Sequence, residues 1–262
     1  MVYLIIICVC TLSSIIGSIC GIGGGVIIKP VLDAVGIMPV KTASFLSGCT
    51  VLSMSIVSLS KNIKSNNNFT FNKLFATILA LGSVIGGLIG KSLFQNILKI
   101  FPDSDKIGAI QAGILLIITL GTLIYTIYKY KIHTHNIKNK LIVFLIGLIL
   151  GIMSSFLGIG GGPINLIVLF YFFSMTTSEA TMYSIYVIML SQISSLASAI
   201  ITRNIPYFDI TILLLMISCG VLGGFIGNVL SRKINNKNVD KLFIIAILLI
   251  ICINIYNIFR YI

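Results

Sequence analysis

Long apolar runs separated by short polar loops dominate the chain. Ten such runs cover roughly 2–19, 23–36, 40–60, 74–97, 107–128, 141–157, 163–175, 179–201, 209–230 and 242–259. The last three of each five reach the roughly 20 residues that an α-helix needs to cross a bilayer's hydrocarbon core. The first two of each five are short, and a glycine-rich string joins them. A helix of 13 or 14 residues, as in 163–175 or 23–36, reaches only about 20 Å. Each half is thus expected to hold a hairpin of short helices that enters and leaves on one side, then three full crossings. Residues 2–19 lack a positive leader and a small-x-small cleavage site, and 141–157 is their counterpart, so the start of the chain reads as fold, not signal peptide.

The string Gly21-Ile22-Gly23-Gly24-Gly25 recurs as Gly158-Ile159-Gly160-Gly161-Gly162, 137 positions later. At that offset, without a gap, Ala43 meets Ala180, Ser47 meets Ser184, Ser58 meets Ser195 and Phe71 meets Phe208. Gly86, Gly87 and Gly90 likewise meet Gly223, Gly224 and Gly227. After a two-residue shortening, Asp105-Lys106 matches Asp240-Lys241. A biased composition produces chance matches of Ile and Leu, but not a gap-free register of glycines. The chain divides into a first transmembrane repeat, 1–130, a basic cytoplasmic linker, 131–140, and a second repeat, 141–262. Three full crossings per half is an odd number, so the second repeat is expected to be inverted.

Composition and charge sharpen this reading. The chain is 57% hydrophobic and only 9% charged, with mean hydropathy +1.11 and net charge +12. Soluble domains carry about 25% charged residues. A water-soluble globule, a nucleic-acid-binding tail and a disordered chain are excluded. The basic residues stand singly between apolar runs, as topology signals do. With the loop 61–73 inside, the stretch 129–140 and the loop 231–241 are inside too, and together they hold eleven of the 18 basic residues. Parallel halves would split the same residues evenly, so the inverted arrangement is favoured, with both termini outside. Tyrosines near segment ends, among them Tyr3, Tyr125, Tyr128 and Tyr256, stand where an interfacial belt belongs. Gly82, Gly86 and Gly90, and Gly223 and Gly227, have the four-residue spacing that lets membrane helices approach closely. The six cysteines read as buried thiols without metal or disulfide spacing.

Candidate chemistry centres on the glycine strings. Non-helical backbone survives in a bilayer only when buried in protein or lining a wet cavity. A glycine-interrupted short segment at corresponding places in two halves points to a transporter's binding site. Gly23, Gly24 and Gly25 open one short helix, and Gly160, Gly161 and Gly162 open its counterpart. A helix start offers unpaired N–H groups and about half a positive charge, which suits an anion. If the two tips meet near the midplane, both helix starts face one small site. The alternative is that these glycines only permit tight turns. Asn165 could bond a substrate oxygen. Ser44 and Ser47, and Thr181 and Ser184, pair on one helical face by their spacing, and bind substrate or bond back to helix carbonyls. Lys29 lies four residues before Asp33, close enough to pair with it, and attracts anions or merely snorkels beside it. His133 and His135 fall in a basic loop, and no metal site or cofactor is expected.

The residues Gly21-Ile-Gly-Gly-Gly-Val-Ile-Ile-Lys-Pro-Val-Leu, with Lys41-Thr-Ala-Ser-Phe-Leu-Ser, resemble the signature of the sulfite exporter TauE/SafE family of membrane transporters. Gly158-Ile-Gly-Gly-Gly-Pro-Ile-Asn-Leu is similar to its second copy, and the resemblance spans nearly the whole chain. It implies transport of small inorganic or organic anions, sulfite and organosulfonates above all, across a bacterial inner membrane. Lys29 and Pro163 depart from the usual pattern. A homo-oligomer is compatible with the sequence.

Two rivals stand beside a secondary carrier: a non-transporting membrane scaffold and an intramembrane enzyme. The enzyme is disfavoured because both histidines lie in one loop, away from any Ser or Cys of the apolar segments. No nucleotide-binding loop appears. Because the cell interior is negative, an exiting anion gains about 2.3 kcal/mol per charge per 100 mV. Export or downhill exchange therefore needs no coupling ion.

Overall fold

The computed structural model describes residues 2–65, 72–100, 104–159 and 161–261; of the positions named above, Phe71 and Gly160 fall outside them. Among the described residues the chain is helical, with no strand. The first half holds α1 (Val2–Cys20), α2 (Gly25–Val35), α3 (Val40–Ser65), α4 (Lys73–Ile100) and α5 (Ser104–Tyr128). A 3-10 turn, Lys129–Lys131, opens the linker. The second half holds α6 (Lys140–Leu157), α7 (Pro163–Phe173), α8 (Thr177–Ile201), α9 (Ile210–Ser231) and α10 (Asn236–Tyr261).

Eight of these helices, all but α2 and α7, are long and apolar enough to cross a membrane. The chain is a multi-pass membrane protein. The first arm of each expected hairpin is therefore longer than a half-helix: α1 and α6 have 19 and 18 residues, about 28 and 27 Å. Nothing interrupts those arms before Gly21 and Gly158, which take φ of 73° and 65°. The return arms α2 and α7 have 11 residues each. Helix starts in the second half are fixed locally. Asn139 accepts from the Leu141 N–H, Asp209 from the Thr211 N–H, and Thr176 forms a capping box with Glu179.

Small residues set which helices touch. A Cβ at Gly82, Gly86 or Gly90 of α4 would run into the backbone of α6 at Phe144, Leu148 or Ile152. Gly147 and Gly151 of α6 meet α4 at Leu79 and Ser83 in the same way, so α4 and α6 run parallel with backbones in contact. The corresponding pair repeats this: Gly223 and Gly227 of α9 rest on Thr11, Ser14, Ile15 and Ser18 of α1. Helix α9 also runs parallel to α3, from Gly220 on Thr50 through Gly224 on Met54 to the Asn228 amide on the Ser58 carbonyl.

The corresponding helices α3 and α8 run in opposite directions. Thr42 and Phe45, at the start of α3, contact Tyr207 and Phe208, which follow α8. Asn72, beyond the end of α3, donates its N–H to the Tyr183 hydroxyl near the start of α8. Loop contacts define the ends of the bundle. Arg232 reaches the Lys61 carbonyl, Lys129 pairs with Asp240 at 2.6 Å, and the His135 N–H meets the Tyr171 carbonyl. The three lysine-rich connections thus gather at one end. At the other end, Arg260 binds the carbonyls of Asp33 and Ala34. All six cysteines are free; Cys8 and Cys252 are exposed on the bundle's outer surface rather than buried.

Candidate functional site: the paired glycine turns

Each glycine turn is held by the other half. The Ser184 hydroxyl donates to the Gly21 carbonyl at 2.6 Å, and the Ser47 hydroxyl to the Gly158 carbonyl at 2.9 Å. Thr181 adds a bond to the Cys20 carbonyl at 3.3 Å, and Ser47 also reaches its own Ser44 carbonyl. Three of the four hydroxyls expected near the site therefore spend their proton on backbone. Only Ser44, pressed against Gly158, has a buried oxygen without a partner.

The turns themselves depend on glycine. Gly23 has φ 74° and Gly161 φ 107°, values that side chains rarely tolerate. Gly24 and Gly162 cap α2 and α7, and Gly25 is the first residue of α2. At the centre of the bundle these helix starts touch. A Cβ at Gly25 would strike the Ile159 carbonyl, and one at Gly162 would lie 3.3 Å from Val26. The two glycine turns thus meet in backbone contact rather than across an open space. Ile27 and Asn165 donate their N–H groups to the cap carbonyls of Gly24 and Gly162, and Pro163 has none, which leaves Gly25 and Val26 in α2 and Ile164 in α7 as helix-start donors without an intrahelical acceptor.

Polarity is uneven between the turns. Asn165, in the first turn of α7, is only 1% exposed, and neither its oxygen nor its nitrogen has a partner. Its amide nitrogen and Ile188 border the space beside Gly161. One helical turn along α8 from Ile188, Gln192 holds its oxygen against Gly48 and leaves its buried nitrogen unpartnered. One turn back along α3 from Gly48 stands Ser44. Asn165 beside Gly161, Ser44 beside Gly158, and Gln192 one turn along each helix from Ile188 and Ser44 thus offer buried donors with nothing to donate to near the second glycine turn. At the corresponding places around the first glycine turn stand Ile28, Ser55, whose hydroxyl is spent on the Leu52 carbonyl, and Thr181, spent on Cys20.

Lys29 sits apart from the donors at the second glycine turn. Its ammonium pairs with Asp33 at 2.7 Å, both groups buried rather than snorkelling. A cavity of about 10 Å³ beside the pair is lined also by Gln111, Asn254, Asn257, Leu157 and Ile159. The oxygens Asp33 Oδ1, Gln111 Oε1 and Asn257 Oδ1 are unpartnered there. This polar cluster escaped sequence reasoning. Its only signals were isolated amides in apolar runs, at Gln111 in α5 and at Asn254 and Asn257 three apart in α10. Among the described residues no group of three or more His, Cys, Asp or Glu could hold a metal.

The profile of the family described as "Sulfite exporter TauE/SafE" matches residues 6–254. The chain is 22% identical to "Probable membrane transporter protein YunE" of Bacillus subtilis (strain 168), covering 98% of each. It is 29% identical to "Probable membrane transporter protein MJ0441" of Methanocaldococcus jannaschii, covering 86% of this chain and 84% of that one. No solved structure matches the chain.

Proposed function

Because the chain belongs to the sulfite exporter TauE/SafE family of membrane transporters, we propose that it is a secondary carrier for a small anion bound at the second glycine turn. The observation that carries this reading is the set of unpartnered donors at Asn165, Gln192 and Ser44 around Gly161. A buried polar group without a partner costs about 1–3 kcal/mol, so three together need a reason, and a bound oxyanion supplies their acceptors. The Gly161, Gly162 and Ile164 N–H groups add donors at a helix start whose dipole favours negative charge. Gly160, expected to share this role, lies outside the described residues. Gly23, Gly24 and Gly25 form the matching wall at the first turn. Lys29, neutralised by Asp33, contributes to the field but not to direct contact. Sulfite or an organosulfonate fits the donor set.

The repeats 1–130 and 141–262, joined by the linker 131–140, are read as inverted copies. The opposed directions of α3 and α8 support this, as does the clustering of the lysine-rich loops at one end, which by the positive-inside rule is the cytoplasmic side in this reading, with a bacterial inner membrane as the setting it takes. Downhill export then needs no coupling ion. Purified protein in lipid vesicles preloaded with ³⁵S-sulfite should release label down its gradient. Unlabelled organosulfonate should compete, whereas uncharged solutes should not. Release no faster than from protein-free vesicles, for sulfite and for every small oxyanion tried, would refute the reading.

A further inference from the structure

At the lysine-rich end a cavity of about 320 Å³ opens between the start of α8, the end of α9 and the start of α10. Its polar lining is Thr177, Ser178, Thr181, Ser231, Arg232 and Asn236. Among the lining residues Arg232 alone is charged. One guanidinium nitrogen, Nη2, is fixed by the Lys61 carbonyl at 2.8 Å and the Asn228 side-chain oxygen at 2.9 Å. That anchoring leaves Nε and Nη1 as donors. Asn236 accepts from Ser178 through its oxygen, which leaves its amide nitrogen as a further donor.

We propose that this cavity is a second anion site, an access vestibule in which Arg232 and Asn236 hold a small oxyanion before it reaches the central site. The proposal rests on the transport reading above, because it supplies that reading's route from the lysine-rich end. Thr181 belongs both to the cavity wall and to the clamp on the first glycine turn, where its hydroxyl holds the Cys20 carbonyl. From Thr181, the same face of α8 continues through Ser184 to Ile188 beside Gly161, about 10 Å along the axis. The first glycine turn, bonded to Ser184, stands between vestibule and centre. Sequence and space thus order the path: guanidinium, glycine turn, then the donor set of the second turn.

The ligand class follows from the donors. A guanidinium anchored on one nitrogen presents a fixed positive charge with directed N–H groups, a match for oxyanions. The hydroxyls of Thr177, Thr181 and Ser231 are committed as donors to protein oxygens. They still offer oxygen lone pairs to the water shell that a partly hydrated anion retains. At this volume the cavity admits the anion with such a shell.

The test reads the local potential without requiring transport. Cysteine is introduced by Ser178→Cys, and by Ser231→Cys in a second variant should the first fold poorly. Detergent-purified protein is labelled with a sulfonated or a trimethylammonium ethyl methanethiosulfonate. Rates are normalised to His133→Cys in the exposed linker, after subtracting labelling of the native thiols. The anionic-to-cationic rate ratio should exceed that reference by about tenfold, the scale of charge focusing in a lined cleft. It should fall to the reference value when Arg232→Gln is added and persist with Arg232→Lys. Sulfate should slow the anionic reagent more than chloride at equal ionic strength. A ratio equal to the reference, or one unmoved by Arg232→Gln, overturns the vestibule. Failure of vesicle flux with the ratio intact would instead overturn the transport reading, so the two failures are distinguishable.

Discussion

Replacing Asn165 with leucine should stabilise the protein and stop it transporting. Leucine is close to asparagine in size and removes both amide atoms, neither of which has a partner. At the corresponding position the first half already carries Ile28, fully buried, so an apolar side chain suits the start of a return arm. An unpartnered buried polar group costs about 1–3 kcal/mol, and replacing it by an apolar group recovers much of that. Taking about 1.5 kcal/mol as recovered, and about 2–4 °C per kcal/mol for a chain of this size, Tm should rise by about 3–6 °C. The assay pairs thermal unfolding in detergent, without added anion, with ³⁵S-sulfite release from vesicles. Flux should fall at least about tenfold, since losing one good hydrogen bond to a charged ligand costs about 1.5–3 kcal/mol. Added sulfite should raise the Tm of the wild type but not of Asn165→Leu. Wild-type flux in the variant would remove Asn165 from the site. A drop in Tm would show that the amide has a structural partner, and the argument from unpaired donors would fail with it.

Other outcomes follow from packing and topology. Gly86→Val should sharply reduce the yield of folded protein, because its side chain would enter the Leu148 backbone; Gly121→Ala, with open space around it, should leave yield unchanged. Equal yields of the two, read by size-exclusion chromatography, would contradict the α4–α6 contact. Ser47→Ala and Ser184→Ala should each destabilise by about 1 kcal/mol through loss of the clamp on a turn, and the double variant by about the sum. Unchanged Tm in the double variant would show that the clamps hold nothing. Cysteines placed at His135 and Arg203 should label from opposite sides of the membrane with an impermeant reagent in intact cells. Equal labelling of both would contradict the inverted arrangement.

The ten helices and the glycine turns were legible because apolar run length and backbone freedom are local properties. The Lys29–Asp33 pair was legible for the same reason, since four residues is one helical turn. The roles of the hydroxyls were not. Ser184 and Gly21 lie far apart in sequence, and only the packing of α8 across the first turn shows that this hydroxyl is spent on a carbonyl. Gln192 meets Gly48 because α8 crosses α3 there, a contact that no periodicity announces. The runs 2–19 and 141–157 nearly match α1 and α6, and only their classing as short arms differs from the structure. The spacing of apolar segments did not separate an arm long enough to cross from one that is not. Asn165 stood out in the sequence by chemistry alone, and its isolation from any partner became visible only in three dimensions.

The reciprocal clamp carries a consequence for how such a chain can be built. Ser47 holds Gly158 while Ser184 holds Gly21, so a single rule, serine of one unit on the turn of the other, is applied twice. That is the bonding of an isologous dimer, in which each subunit offers the same donor and the same acceptor. Two separate copies of one half could satisfy both bonds without the linker. Covalent joining then frees each copy to change alone, also at positions where symmetry would otherwise forbid it. Asparagine stands at 165 against isoleucine at 28, and lysine at 29 against leucine at 166. A symmetric pair can hold its substrate only on its axis or in two equal places; a fused one can hold it on one side and open on the other.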